Sequence, residues 1–251
     1  MTQHRALPPL STTVDDEISV RGRDLARELI GRRTFTELFL LDLDGRAPDP
    51  DRVAMVDAVL CSLMEHGLTP STLAARLVEE GAPDAMQGAV AAGLLAVGSR
   101  FLGTIEDVAR VVQRVAAHPR GIDVGAREAV ADIVTAGGRV PGVGHTLHHD
   151  LDPRVAALSA VAAQTGFAGA HLEALHAVAR EACERSGRKL IVNAAGAVGA
   201  ILSDLGYPPD QVRGFALVAR CAGLVAHVVD EMRAPYARSL WVEAHKRASA
   251  S

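Results

Sequence analysis

The segment VPGVGHTLHHDLDPR, residues 140–154, combines a permissive backbone with ionisable side chains. Its two glycines carry no Cβ, so their backbone can approach a ligand closely. His145 follows directly, and its imidazole can exchange a proton near neutral pH. Asp152-Pro153 is typical of a turn or a helix start, and Arg154 after it carries a planar guanidinium that suits a carboxylate. The segment therefore predicts a site for an anionic ligand whose carbonyl or hydroxyl exchanges a proton.

The composition of the chain favours a helical protein. The 251 residues suffice for one large domain, or for one large and one small domain. Hydrophobic residues make up 49% and aromatic residues only 3%, and small aliphatic cores favour closely packed helices over β-sandwiches. The net charge of -4, without a long block of like charge, argues against a nucleic-acid partner.

The cysteines and the N-terminal residues predict a cytoplasmic protein. Three cysteines lie far apart without CxxC spacing, which fits reduced thiols and offers no metal-ligand cluster. Residues 1–14 form a polar, Pro-containing arm without the apolar segment of a secretory signal. No apolar run reaches the roughly 18 residues needed to span a bilayer, so we expect no membrane partner.

Helical periodicity recurs along the chain between Gly and Pro residues. The pattern from Ile105 to Ala117 has apolar residues on one helical face. Thr34 is a plausible N-cap for a helix over 35–43, and Pro50 can begin the next helix. No convincing alternating strand and no internal repeat is apparent. The pattern predicts an all-α protein of about nine to eleven helices.

Three further features each carry a charged side chain in a special position. Glu65-His66-Gly67 places a His at a helix end, Arg220 interrupts an otherwise apolar helix, and Arg238 follows the break at Pro235. Each has an ordinary explanation: a favourable helix-dipole contact for His66, a structural ion pair for Arg220, and surface exposure for Arg238.

The order of these motifs resembles that of the citrate synthase superfamily, and within it the citryl-CoA lyase module of ATP-citrate lyase. The resemblance covers roughly residues 18 to 241. It is carried by LMEHG (63–67), GLLAVGSRFLGTIEDV (93–108), VPGVGHTLHHDLDPR (140–154), VNAAGAVGAILSDLG (192–206) and ARCAGLVAHVVDEMR (219–233). The segment GSRFLGTIEDV looks more like the lyase than like true citrate synthases, which carry a catalytic His there.

The resemblance implies an architecture. It implies an all-α, citrate synthase-like fold with a large helical domain over 15–109 and 191–251 and a smaller one over 110–190. It also implies a homo-oligomer, at least a dimer, whose sites lie near the subunit interface.

The resemblance also implies roles for individual residues. His66 matches the His that binds the oxaloacetate portion of citrate. His145 matches the His that hydrogen-bonds the carbonyl which becomes, or comes from, the tertiary alcohol. Both would be catalytic. Arg154, Arg220 and Arg238 match the arginines that hold substrate carboxylates, the last of them serving the partner subunit's site. The backbone of Gly142, Val143 and Gly144 matches the stretch that recognises the adenine of coenzyme A.

The chain departs from the family at the position of its catalytic Asp, which is Ala195 here. An alanine cannot exchange a proton with the acetyl-CoA methyl. The second enolising His of true citrate synthases corresponds to a position near Phe101, and Thr146 stands where the lyase module has an Arg. His148, His149 and Asp150 are candidate substitutes for the missing group, although they are equally compatible with a polar surface turn.

The leading hypothesis is a citryl-CoA lyase-like enzyme that cleaves a citryl-CoA-type thioester to acetyl-CoA and oxaloacetate. Coenzyme A would enter as the acyl-CoA substrate, with a di- or tricarboxylate as the other ligand and no metal. One alternative is a citrate or 2-methylcitrate synthase-like condensation. Another is a non-catalytic protein that binds coenzyme A or a tricarboxylate, which the alanine at 195 favours.

Overall fold

The computed structural model describes residues 7–144 and 150–249, and helices dominate this part of the chain. Short π-helical segments, Leu25–Leu29 and Gly98–Leu102, accompany the α-helices. The α-helices are α1 (Phe35–Asp44), α2 (Pro50–Met64), α3 (Pro70–Gly81), α4 (Met86–Val97), α5 (Gly103–Ala116), α6 (Ile122–Thr135), α7 (Pro153–Gln164), α8 (Ala170–Ser186), α9 (Ala194–Asp204), α10 (Pro209–Arg233) and α11 (Ala237–Ser249). The all-α prediction is confirmed for the bulk of the described chain.

Three short strands near the N-terminus contradict the prediction that no strand would form. The antiparallel strands β1 (Ser11–Val14), β2 (Glu17–Val20) and β3 (Arg23–Asp24) pair in sequence order. β1 therefore includes residues that we assigned to a polar arm. Asp15 adopts a left-handed φ of 50° in the turn between β1 and β2, which Asp tolerates better than most residues. The strands were missed because β1 is exposed throughout and shows no apolar alternation.

The chain divides into two compact units, Met1–Asp57 and Ala58–Ser251, and the division falls within α2. In the first unit, α1 begins with a reciprocal capping box between Thr34 and Glu37, as the N-cap prediction for Thr34 required. The division that the family resemblance implied, between 15–109 with 191–251 and 110–190, remains a prediction.

In the second unit, the apolar stripe of α5 forms part of the core. Its buried residues Val108, Val112 and Val115 belong to one cluster with residues of α6 and α8. Helix α9 also contacts α5 and α8 and is buried along most of its length. Because α9 is fixed on both neighbours, its N-terminus is a stable point on which a site can be built.

Helix α10 is the longest helix described, and it contacts α3, α4, α5 and α9. By length and composition alone it could cross a membrane, but 44% of its apolar window is buried inside the protein. Its buried residues include the charged Arg220 and Glu231. These contacts are those of a core helix.

Candidate functional site

The glycine-containing segment of the PGVGH motif pairs with the residues that precede α9. The Gly144 amide donates to the Ile191 carbonyl at 2.7 Å, and the Asn193 amide donates to the Gly142 carbonyl at 3.0 Å. Val143 and Val192 form the intervening antiparallel bridge. The predicted adenine-binding stretch, Gly142 to Gly144, therefore lies directly beside the start of α9.

The glycines at 142 and 196 are required by this packing. Gly142 has a φ of 75°, and a Cβ there would lie 2.7 Å from both the Gly196 Cα and a methyl of Val108. A Cβ on Gly196 would lie 2.6 Å from the Gly142 carbonyl oxygen. Backbone contact between the two segments thus explains both glycines without a ligand.

Asp152 and Arg154 form a bidentate ion pair next to the same helix start. The Arg154 Nε donates to Asp152 Oδ1 at 3.0 Å, and its Nη2 donates to Oδ2 at 2.8 Å. Asp152 is fully buried and also accepts the Ala194 amide at 3.0 Å, so it joins the DPR motif to α9. These contacts use Nε–H and one N–H of Nη2, so Nη1 and the second N–H of Nη2 are the groups that could bind a ligand carboxylate.

The electrostatics of Asp152 keep it ionised. Burial opposes ionisation, but the Arg154 guanidinium and the amides of Arg154 and Ala194 together hold the pKa of Asp152 below its usual value. Asp152 therefore orients Arg154 as a carboxylate and is unsuited to donate a proton.

The start of α9 also carries Ala195, at the position where the resemblance implies the family's catalytic carboxylate. Asn193 caps the helix: its Oδ1 accepts the Gly196 amide at 3.0 Å and its Nδ2 donates to the Gly144 carbonyl at 2.7 Å. Ala195 lies in this first turn and is partly exposed, whereas Ala194 and Gly196 are buried. A larger side chain at 195 therefore has access to space that its two neighbours lack.

A second cluster forms where α2 ends against α10. The Arg220 Nη1 donates to the Met64 carbonyl at 3.1 Å, and its Nη2 donates to Ser71 Oγ at 3.1 Å. A Cβ on Gly223 would overlap the same Met64 carbonyl oxygen, so the ARCAG sequence supplies both the donor and the missing side chain that this contact needs. Burial lowers the pKa of Arg220, and the Glu65 carboxylate opposes that shift.

His66 lies in the turn that follows α2, and Glu65 organises this turn. One Glu65 oxygen accepts the His66 amide at 2.8 Å and the Gly67 amide at 2.6 Å. Gly67 has a φ of 68°, which a glycine adopts readily. The structure thus brings His66 and Arg220 to one end of α2.

Sequence reasoning missed the residues of α3 and α10 that hold Glu65 and thereby support this turn. His227 bonds the Glu65 carboxylate at 2.9–3.0 Å, and Arg76 bonds His227. Arg76 also forms a buried ion pair with Glu231 at 2.7 Å. In the sequence these residues resemble the other charged and polar side chains of α3 and α10, so nothing marks them as partners.

The remaining predicted residues lie at the surface or outside the described residues. Arg238 projects from α11 with its side chain 73% exposed, and its Nε lies 3.8 Å from Glu80. Asp150 is exposed and pairs with Lys189 at 2.8 Å. His145, His148 and His149 lie outside the described residues. Within residues 7–144 and 150–249, no group of three or more His, Cys, Asp or Glu side chains could hold a metal ion.

Comparison with solved structures extends the likeness over most of the chain. The citryl-CoA lyase of Hydrogenobacter thermophilus is 33% identical, with a TM-score of 0.81, over 89% of this chain and 86% of that protein. A mutant ATP citrate lyase of Methanosaeta concilii in complex with (3S)-citryl-CoA shares the fold at 23% identity, with a TM-score of 0.75 over 93% of this chain and 39% of that protein.

Curated sequences give the same result at lower identity. Putative citrate synthase 2 of Mycobacterium tuberculosis is 28% identical over 212 residues, which is 80% of this chain and 53% of that protein. The chain thus spans about half the length of this relative. A family model described as the C-terminal domain of citrate synthase matches residues 16–240. The chain therefore belongs to the citrate synthase family.

Proposed function

We propose that this protein is a citryl-CoA lyase-like enzyme, which cleaves a citryl-CoA-type thioester into acetyl-CoA and oxaloacetate. The observation that carries this proposal is the Asp152–Arg154 pair, which holds an oriented guanidinium at the start of α9. The likeness to a citryl-CoA lyase along nearly the full length of both proteins supports it.

The proposed reaction breaks the bond between the carbon that bears the tertiary hydroxyl and the methylene group of the thioester. The hydroxyl proton passes to His145, and the hydroxyl oxygen becomes the ketone oxygen of oxaloacetate. The bonding electron pair passes to the acyl-CoA enolate, which gains a proton at its α-carbon to become acetyl-CoA. Arg154 and Arg220 would hold substrate carboxylates and so orient the breaking bond.

Protonation of the enolate is the step for which Ala195 supplies no group. Of the substitutes that the sequence suggested, Asp150 is engaged with Lys189 at the surface. Water or one of the histidines at 148 and 149 would therefore act as the acid. Since Ala195 also fits a protein that binds ligands without turning them over, a non-catalytic binder of coenzyme A or tricarboxylates is the second candidate function.

Direct assays with the two substrate sets separate these functions. A lyase should release acetyl-CoA and oxaloacetate from (3S)-citryl-CoA, with oxaloacetate measured by coupled reduction. A synthase should release free coenzyme A from acetyl-CoA and oxaloacetate. Binding of citryl-CoA in calorimetry without turnover in either direction would favour the binder and contradict the lyase proposal.

Replacement of His145 and Arg154 separates proton transfer from binding. We expect His145→Ala to slow turnover by about 10²–10⁴-fold, the range for general acid–base catalysis. Arg154→Ala should raise the KM for citryl-CoA, and it should also lower the free energy of unfolding because it leaves the buried Asp152 carboxylate without its ion-pair partner. Asp150→Asn is the matched control and should change neither parameter. Normal kinetics in both test variants would show that this segment is not the site.

Restoring the family's carboxylate tests the role of position 195. Exchange of the acetyl-CoA methyl hydrogens with deuterated water measures enolisation, and we expect it to be slow in the native protein. Ala195→Asp should accelerate exchange, and Ala195→Asn serves as the uncharged control of matching size. Rapid exchange in the native protein would mean that another base already acts there.

We further propose a cytoplasmic homodimer in which Arg238 serves the site of the partner subunit. The exposure of Arg238 on α11 supports this proposal, because a side chain that reaches another subunit must leave its own. Arg238→Ala should weaken citryl-CoA binding, whereas Arg247→Ala on the same helix should not. A monomer in sedimentation at micromolar concentration with intact ligand binding would contradict the proposal.

A further inference from the structure

We infer that Arg76 and His227 are positioning residues that fix two substrate-holding segments through one buried network: the His66 turn and the start of α11, which carries Arg238. The inference rests on the proposed function for the roles of His66 and Arg238. The network itself is defined by contacts between side chains that are distant in the sequence.

Arg76 is the centre of the network. Its side chain is 9% exposed and lies on α3, which contacts both α10 and α11. Its Nη1 donates to Glu231 Oε2 at 2.7 Å, while its Nε and Nη2 lie 3.2 and 2.9 Å from His227 Nδ1. One planar guanidinium thus addresses two different partners on α10, and a lysine ammonium could not reproduce this geometry.

These contacts fix the tautomer of His227. A guanidinium can only donate, so Nδ1 of His227 must be the acceptor. The ring proton therefore lies on Nε2, which donates to the Glu65 carboxylate at 2.9–3.0 Å. The hydrogen bonds run in one direction, from Arg76 through His227 to Glu65.

Glu65 connects His227 to the turn that contains His66. The carboxylate that His227 holds also accepts the amides of His66 and Gly67. Burial opposes the ionisation of Glu65, but these hydrogen bonds hold its pKa below the usual value. The turn that presents His66 is therefore anchored to α10 and, through Arg76, to α3.

Glu231 fixes the second segment, the start of α11. Its other oxygen accepts the amides of Tyr236 and Ala237 at 2.6 and 2.7 Å, which fixes the chain where α11 begins. Glu231 is 2% exposed, so these bonds form away from water. Arg238 follows Ala237 directly. The ion pair between Arg76 and Glu231 therefore fixes the backbone from which the Arg238 side chain extends.

Hydrogen exchange of the full-length protein tests the network without assuming any activity. Arg76→Gln should accelerate amide exchange at both His66-Gly67 and Tyr236-Ala237, by about tenfold or more, because a charge-assisted hydrogen bond is lost on each side. His227→Leu should accelerate exchange at His66-Gly67 alone. His227→Gln should restore protection, because its amide can accept from Arg76 and donate to Glu65.

Asp230→Asn is the matched control, since Asp230 is exposed and lies 3.9 Å from Arg76, beyond hydrogen-bonding distance. It should leave both segments protected. If Arg76→Gln does not fold, Arg76→Lys decides the question. The retained positive charge should keep the Tyr236 and Ala237 amides protected from exchange. Loss of the planar guanidinium should accelerate exchange at the His66 and Gly67 amides.

Two further measurements complete the test. Imidazole nitrogen NMR should show His227 with its proton on Nε2, and a proton on Nδ1 would overturn the inference. Unchanged exchange at both segments in Arg76→Gln would also overturn it. Oxaloacetate affinity should fall by up to about 10²-fold in Arg76→Gln, as misplacement of a ligand-holding group allows. If the native protein does not bind oxaloacetate, the proposed function fails, but the exchange and NMR results still decide the network.

Discussion

Replacing Asp152 by Asn should destabilise the protein strongly, because every acceptor site of this carboxylate is in use. Oδ1 accepts the Arg154 amide and Nε, and Oδ2 accepts Arg154 Nη2 and the Ala194 amide. In either orientation of its amide, an Asn side chain would place its NH₂ group against one of these two pairs of donors. The substitution therefore loses the charge and also introduces donor–donor repulsion.

The magnitude follows from burial. Removing one partner of a buried ion pair costs about 3–5 kcal/mol of unfolding free energy. Asp152 is fully buried, but the Arg154 side chain is 24% exposed and can recover some hydration. We therefore expect a loss of about 3 kcal/mol, at the low end of that range, measured by urea unfolding at pH 7 and fixed protomer concentration.

The effect should depend on pH in a defined direction. The folded-state pKa of Asp152 is lowered, so its stabilising contribution is fully present above the unfolded pKa of about 3.9. It is lost as the pH falls through the lower folded-state value. The difference between native protein and variant should stay constant from pH 7 to 5 and shrink below about pH 4.

Asp150→Asn provides the matched control two residues away. Its side chain is 92% exposed, and its ion pair with Lys189 lies at the surface, so the change in stability should fall within the error of the measurement. An Asp152→Asn loss no larger than that of the control, or one that persists unchanged at pH 3, would refute the reasoning.

Four other substitutions test the packing and the buried carboxylates by urea unfolding. Gly223→Ala should cost about 1–3 kcal/mol because its methyl group overlaps the Met64 carbonyl, whereas Gly214→Ala on the same helix meets no atom and should gain about 0.4–1 kcal/mol. Asp42→Asn should raise the free energy of unfolding at neutral pH. Burial raises the pKa of this carboxyl, and its Oδ1 has no hydrogen-bond partner among the described residues. The gain in stability should vanish at a pH low enough to protonate Asp42. Asp204→Ala should cost about 2–3 kcal/mol, since this buried carboxylate accepts amides in the first turn of α8; a neutral result would exclude it as the cap.

The helices could be predicted because their signals are local. The stripe of α5, the cap at Thr34 and the proline that begins α2 act within a few residues, and each appears in the structure as expected. The N-terminal hairpin was missed because its first strand is exposed and polar. Its pairing depends on backbone hydrogen bonds and a turn rather than on an apolar face.

The candidate site was only partly predictable, because its supporting contacts join distant segments. The sequence indicated Asp152 as a helix start, and it does cap α7. Its bond to the Ala194 amide, 42 residues away, depends on the tertiary fold. The ion pair between Arg76 and Glu231 spans 155 residues and leaves no mark on local periodicity. In a single sequence such partners look like any other charged residue of a helix.

The glycines of the two motifs show why fold and site are difficult to separate in this protein. The sequence suggested that glycine in the PGVG segment admits a ligand, but Gly142 is in direct contact with the backbone of α9. Gly223 likewise makes room for the Met64 carbonyl, and Arg220 on the same helix donates to that carbonyl. A side chain at either glycine would therefore move an element that carries a proposed ligand-binding residue. Substitutions at these glycines should therefore reduce stability and ligand affinity together.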